Sequence, residues 1–199
     1  MIALLIWIKH QLPFLWRMVE WVNGLLFRLR YRSLTGKAAE VLAAQSAGGC
    51  RFSLVEAVDV PALARFLAAQ PEASLVYFHP HAFDEKTLQR LQRNAAFLPM
   101  QVVAPDGRMA GYFFLRCFFV GRAFAGLIVD EAFQGQGIGT TIWATCADIC
   151  RRVGLKMQAT ISSDNVASMR SCQKGAGMEP VGQLDNGYVA MGYTENNNK

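Results

Sequence analysis

Leu127-Ile-Val-Asp-Glu-Ala-Phe-Gln134-Gly-Gln-Gly137-Ile-Gly139-Thr-Thr141 reads as a buried strand, a glycine-rich turn and the opening of a helix. Leu127, Ile128 and Val129 form an apolar run behind the alternating Arg122-Ala-Phe-Ala, and the run stops at Asp130-Glu131. Gly135, Gly137 and Gly139 remove side chains from the turn, which lets backbone N–H groups approach a ligand closely. From Thr140 an amphipathic pattern begins, with Ile142, Cys146, Ile149 and Val153 at helical spacing. A glycine turn that feeds a helix N-terminus offers unpaired donors and the positive end of the helix dipole. It is an anion site, and phosphate is the expected anion.

Spelling narrows the ligand. The turn has no Lys followed by Ser or Thr, so it is not a nucleoside-triphosphate loop. A dinucleotide fingerprint needs its third glycine one residue later, although Asp164 stands where a ribose-binding acid would sit. Gln134-Gly135-Gln136-Gly137-Ile138-Gly139 matches (Q/R)-x-x-G-x-(G/A) without adjustment. In this the chain resembles the GNAT family of N-acetyltransferases. Downstream, Lys156 to Ile161 reads as a strand, and Asp164-Asn165 can cap a helix through Lys174. Asn165-x-x-Ser168, then Lys174 and Gly177-Met178, resembles the family's second motif, N-x-x-(S/A)…(K/R)-x-G-F. There are two departures. The exit carries one extra residue, Gly175-Ala176, and Cys172 stands where many members have a tyrosine acid.

The resemblance spans roughly Arg51 to Tyr193 and implies an α/β fold: a GNAT-like mixed central sheet flanked by helices. It implies acetyl-CoA as acyl donor and a small-molecule amine as acceptor. The pantetheine arm would pair with the backbone of Leu127, Ile128 and Val129. The phosphates would rest on Gln134, Gly135, Gln136, Gly137, Ile138, Gly139 and Thr140, with Asn165, Ser168 and Lys174 as further contacts. Asn165 would also cap its helix.

The fourth strand, Arg122 to Val129, carries no acidic residue to serve as base, and Asp130 and Glu131 lie at the phosphate end. The best remaining titratable pair is His79 and His81, in a segment between the first two helices that the resemblance implies borders the acceptor site. Either would relay the amine proton; equally, one could cap the following helix and the other stack on Phe78 or Phe83. The missing Glu and the Tyr-to-Cys departure keep a non-catalytic acyl-CoA-binding module as the alternative to an enzyme. A membrane-seated enzyme would suit amino-sugar or glycan-precursor acceptors.

The chain has 199 residues and a net charge of +5, distributed unevenly. Residues 1–37 hold six basic side chains against Glu20, and the rest holds fourteen of each sign. A nucleic-acid groove would put its basic cluster on the folded body, so no nucleic-acid partner is expected. The five cysteines lack metal-ligand spacing, no metal is expected, and the odd count points to a reducing, cytoplasmic setting.

The expected organisation is an amphipathic basic helical arm over 1–36, a linker over 37–49, the catalytic body over 50–195 and a polar tail over 196–199. In the arm a narrow polar stripe at Arg17, Glu20, Gly24 and Arg28 interrupts Trp, Phe, Leu, Met and Val. Such a surface must be buried, at about 1.5–3 kcal/mol per large side chain. A membrane surface reached through residues 1–32, a second subunit in a homodimer and the body itself are the three available partners. In the body, helices are expected over Val60–Ala69 and Phe83–Phe97. Hairpins are expected at Asp106-Gly107 and Asp185-Asn186-Gly187.

Overall fold

Alternation along Met109–Phe118 divides the molecule into two apolar layers. Phe113, Leu115 and Cys117 are buried on one face of this strand, and Tyr112 and Phe114 on the other. A computed structural model describes residues 13–184 and 187–194, with side chains from Met18 onward. Its strands are β1 (Ser46–Ala47), β2 (Cys50–Leu54), β3 (Phe97–Val103), β4 (Met109–Phe118), β5 (Arg122–Val129), β6 (Lys156–Ser162), β7 (Glu179–Gln183) and β8 (Tyr188–Gly192). They lie side by side in the order 1-2-3-4-5-6-8-7. β5 and β6 are parallel, and every other neighbouring pair is antiparallel. The mixed sheet flanked by helices is the fold expected from the sequence.

The helices are α1 (Pro13–Arg30), α2 (Leu34–Ala43), α3 (Val60–Ala68), α4 (Glu72–Leu75), α5 (Glu85–Gln92), α6 (Ile138–Val153) and α7 (Val166–Ala176). The larger core joins one sheet face to buried side chains of α2, α6 and α7, with Phe27 of α1 added at its edge. The smaller core joins the opposite face to α3, α5 and Phe78. Gly175 marks the tightest crossing: a Cβ there would collide with the Thr140 carbonyl of α6. The extra residue in the second motif therefore lies where α7 needs a missing side chain.

Two expectations change. Phe97 belongs to β3 rather than to the preceding helix, which ends at Gln92. The Asn94 side chain accepts from the Ala96 N–H at 3.0 Å and turns the chain, and Ala96 O then accepts from Cys117 N–H at 2.7 Å. The stretch read as a linker holds most of α2 and all of β1; Ala38, Val41 and Leu42 of α2 are fully buried beneath the sheet. The hairpin at Gly107 forms as expected, with Gly107 N–H donating to Ala104 O. The last hairpin joins β7 and β8, while Asp185 and Asn186 of its turn lie outside the described residues, as do residues 1–12 and the tail.

Helix α1 docks by Glu20 and Asn23. Glu20 meets Arg116 of β4 at 2.6 Å and Arg90 at 4.0 Å. Asn23 donates to Cys117 O and accepts from Phe119 N–H, both at 3.1 Å, so one amide serves two backbone groups where β4 ends. No described helix is long and apolar enough to cross a membrane. Losing both Asn23 hydrogen bonds and leaving the partly buried Cys117 carbonyl unpaired should cost about 1–3 kcal/mol. Asn23→Ala is expected to lower the urea midpoint accordingly, read by circular dichroism.

Candidate functional site

β5 and β6 pair only at Arg122–Lys156, Ala123–Met157 and Phe124–Gln158. Beyond that point β5 stays with β4 as far as Val129, and β6 turns to β8 from Ala159. The two central strands part and leave a cleft. Gly121 O accepts from Lys156 N–H, so alternation aims the N–H and C=O groups of Ala125 and Leu127 at the cleft. The same parity aims those of Thr160 at it from β6. Val129 O is taken by the Gln134 side chain at 3.2 Å. Backbone groups without a strand partner are open to another one, and an extended ligand between the strands can supply it.

The cleft opens into a cavity of about 660 Å³ that reaches the glycine turn and the start of α6. Gly137 precedes α6 in the left-handed region, φ +79°. A Cβ at Gly137 would meet nothing within 4 Å, so the turn requires glycine for its backbone conformation rather than for space. The helix takes its first N–H at Thr141, which donates to Gly137 O at 3.0 Å. Ile138, Gly139 and Thr140 keep their N–H groups at the positive end of a sixteen-residue helix.

Leu127, Ile128, Val129, Gln134, Gly135, Gly137, Ile138, Gly139, Thr140, Asn165, Ser168 and Lys174 all line this one cavity. Gln136 does not: its side chain folds back to Ala132 O at 3.4 Å. Asn165 caps α7, accepting from Ser168 N–H at 3.0 Å. Cys172 is fully buried against Met178 Sδ at 3.9 Å, and burial pushes its thiol up to about 12. The family's acid position therefore points into the core, and the neighbouring Ser171 lines the cavity instead.

Sequence reasoning missed Ser74, Tyr77, Trp143, Thr160 and Ser171, which also line the cavity. Thr160 had a signal, since alternation along Lys156–Ser162 sets it on the face opposite Met157, Ala159 and Ile161. Tyr77 had none, because the loop that carries it reaches β5 only through tertiary packing. The ionisable carboxylate and ammonium of the lining are Glu131, bonded to the Ser74 hydroxyl at 3.4 Å, and Lys174. Both stand at the turn end of the cleft.

Neither His79 nor His81 lines the cavity. His79 is exposed and stacks on Phe83 at 5.6 Å. His81 sits among Phe83, Phe97, Tyr112 and Phe114 with both nitrogens engaged. Nδ1 lies 2.9 Å from Ala82 O, so it carries the proton, and Nε2 accepts from the Tyr112 hydroxyl at 3.1 Å. Burial lowers the imidazole below its ordinary 6.5, and the Arg116 and Arg90 charges add to the effect. Above pH 6.5 the ring is neutral folded and unfolded, and the shift costs nothing. As pH falls through that value the unfolded chain takes the proton first, so stability is lost down to the folded pKa. His81→Gln, which keeps an acceptor for Tyr112, should flatten this loss in urea melts run from pH 7.5 to about 5.

Residues 60–178 match the Acetyltransferase (GNAT) family by sequence. No curated protein matches the chain. The fold is similar to the GNAT domain of S. lividans PAT, at 16% identity and TM-score 0.63, covering 72% of this chain and 89% of that one. It is similar to the ribosomal-protein-S5-alanine acetyltransferase of Vibrio fischeri, at 15% identity and TM-score 0.61, covering 78% and 100%. Mycobacterium smegmatis RimJ, solved in complex with CoA-disulfide, aligns at 18% identity and TM-score 0.57, covering 74% and 82%. At these identities the structures establish the fold, and the sequence match over more than half of the chain establishes the lineage. The parted strands, the glycine turn and the cavity they share are thus those of a chain that belongs to the acetyltransferase (GNAT) family.

Proposed function

We propose that this enzyme moves an acetyl group from acetyl-CoA to an uncharged primary amine. The observation that carries the reading is the parting of β5 and β6 above a helix N-terminus. The family match and the CoA-bound fold of RimJ support it. The turn over Gln134–Thr140 holds the pyrophosphate, and Ala125, Leu127 and Thr160 offer backbone partners to the pantetheine arm. Bound acetyl-CoA supplies a thioester carbonyl, on which amine attack develops an oxyanion and releases a thiolate. N–H groups of the freed stretch of β5 face that oxyanion. Tyr77, the phenol among the lining residues, donates the proton to the departing sulfur. His79, two residues on and in solvent, carries the amine proton away; His81 is a positioning residue that braces the aromatic wall behind β5.

The acceptor carries one amine on a neutral, hydroxyl-bearing or apolar body. With Glu131 and Lys174 both at the turn end, the acceptor end of the lining offers, among the described residues, no carboxylate to hold a second ammonium. An amino sugar or glycan precursor satisfies this condition. Residues 1–32 seat the enzyme peripherally on a membrane, a reading that rests on the outward face of α1. A non-catalytic acyl-CoA-binding module is the competing reading; release of free thiol with any amine of a broad panel rejects it.

Two variants test the site. Gly137→Val forces a branched side chain into the left-handed region, at about 1–2 kcal/mol, and crowds the unpaired donors. CoA binding by calorimetry should be lost while the far-ultraviolet spectrum is kept; tight NADH binding by the parent protein without CoA binding would sink the assignment. Tyr77→Phe should lower kcat about a hundredfold with acetyl-CoA KM little changed, the usual size of an acid–base contribution. An unchanged kcat removes Tyr77 from proton transfer.

A further inference from the structure

Helix α1 is amphipathic in the opposite sense to an ordinary surface helix. Glu20 and Asn23 are spent on the body, and Met18, Trp21, Val22, Leu25, Leu26 and Leu29 face outward. Trp21 is 67% exposed. The tip of the β4–β5 hairpin adjoins the last two turns of this helix. Phe119 O accepts from Arg30 at 3.2 Å, Phe119 N–H donates to Asn23, and Gly121 lies beside the Tyr31 hydroxyl. The side chains of Phe119 and Val120 are themselves exposed, Val120 at 60%. The helix and the hairpin thus form one apolar surface, contributed by both the arm and the catalytic body.

The rim of that surface is cationic. Arg28, Arg30 and Arg32 are exposed at the C-terminal end of α1. Arg122 and Lys156, paired across the closed end of the β5–β6 cleft, are exposed behind the hairpin. The acid that α1 carries, Glu20, is turned inward to Arg116. In a symmetric pairing of two copies, these cations would face their own equivalents around an apolar seam, with no acid of α1 to offset them. An anionic surface that is also apolar beneath satisfies both features.

We propose that α1 and the β4–β5 hairpin together form a docking surface for an anionic lipid bilayer, with Trp21, Leu25, Leu29, Phe119 and Val120 inserted at headgroup depth and the five cations against lipid phosphates. This deepens the membrane seat proposed above, and it brings the closed end of the cleft, at Arg122 and Lys156, to the lipid surface. The surface depends on the body as well as on the arm, so a substitution in the hairpin should weaken attachment as one in the helix does.

The test is flotation of the full-length protein with phosphatidylcholine vesicles containing about 30 mol % phosphatidylglycerol, beside phosphatidylcholine alone. The parent protein should float with the anionic vesicles, less so at 0.5 M salt (about 4 Å screening), and remain behind with the neutral ones. Leu25→Glu and Val120→Glu should each reduce binding at least about tenfold, because each places a charge where the apolar face inserts. CoA binding by calorimetry should be unchanged in both, which separates failure of the surface from failure of the acetyltransferase reading. Val120→Glu binding as well as the parent overturns the composite surface. A parent that ignores anionic vesicles and sediments as a dimer, with Leu25→Glu monomeric, overturns the lipid assignment in favour of a second copy.

Discussion

The structure depends on two strands that pair for three residues and then part. Within a sheet, each buried N–H and C=O must find a partner, and an unpaired one costs about 1–3 kcal/mol. β5 satisfies one edge against β4 along its whole length, and its other edge is released after Phe124. β6 compensates by taking β8 from Ala159 onward. What remains is a slot with backbone groups on both walls, suited to an extended ligand that behaves as a strand. The turn after β5 and the N-terminus of α6 stand at the slot's open end, so one break in pairing positions both the arm-binding and the phosphate-binding groups.

The slot needs a rigid wall, and the aromatic layer under β4 and β5 supplies it. Phe97 and Phe114 stack at 5.0 Å, and Phe78 meets Tyr112 edge-on at 6.2 Å. The Phe114 ring covers Gly126, where a Cβ would come within 2.6 Å of the ring. A hydroxyl buried as deeply as that of Tyr112 would be costly alone, and burial holds it far above its ordinary ionisation range. His81 satisfies it, and the Ala82 carbonyl fixes the tautomer that allows this. The histidine segment therefore stabilises the wall by a polar contact within an apolar layer.

Helix α1 shows how polar docking can leave an apolar face outside. The side chain of Arg116 is only partly covered, and its charge takes a partner there. Glu20 provides it, Asn23 closes the end of β4, and Phe27 enters the larger core. These contacts fix the rotation of the helix about its own axis. Once that rotation is set, the Trp and Leu side chains have no room beneath it and project outward.

The sequence by itself determined the strand–turn–helix at 122–153, the capped helix after Asn165 and the hairpin at Gly107. Each of these is written in local terms: period-two alternation, glycines at turn positions, a side-chain cap three residues before its donor. The fold class followed from the family resemblance that these two motifs, in this order, carry. The tertiary structure alone decided which residues meet across the cleft. Tyr77 reaches it through a loop, Ser171 replaces Cys172 because α7 is rotated to bury the thiol, and Gln136 turns away to a neighbouring carbonyl. It also decided that Ala38, Val41 and Leu42 are core and that Glu20 and Asn23 of α1 face inward. Periodicity states that a helix has two faces; which face meets the body is settled by a partner far along the chain, here Arg116 and the backbone of Cys117 and Phe119.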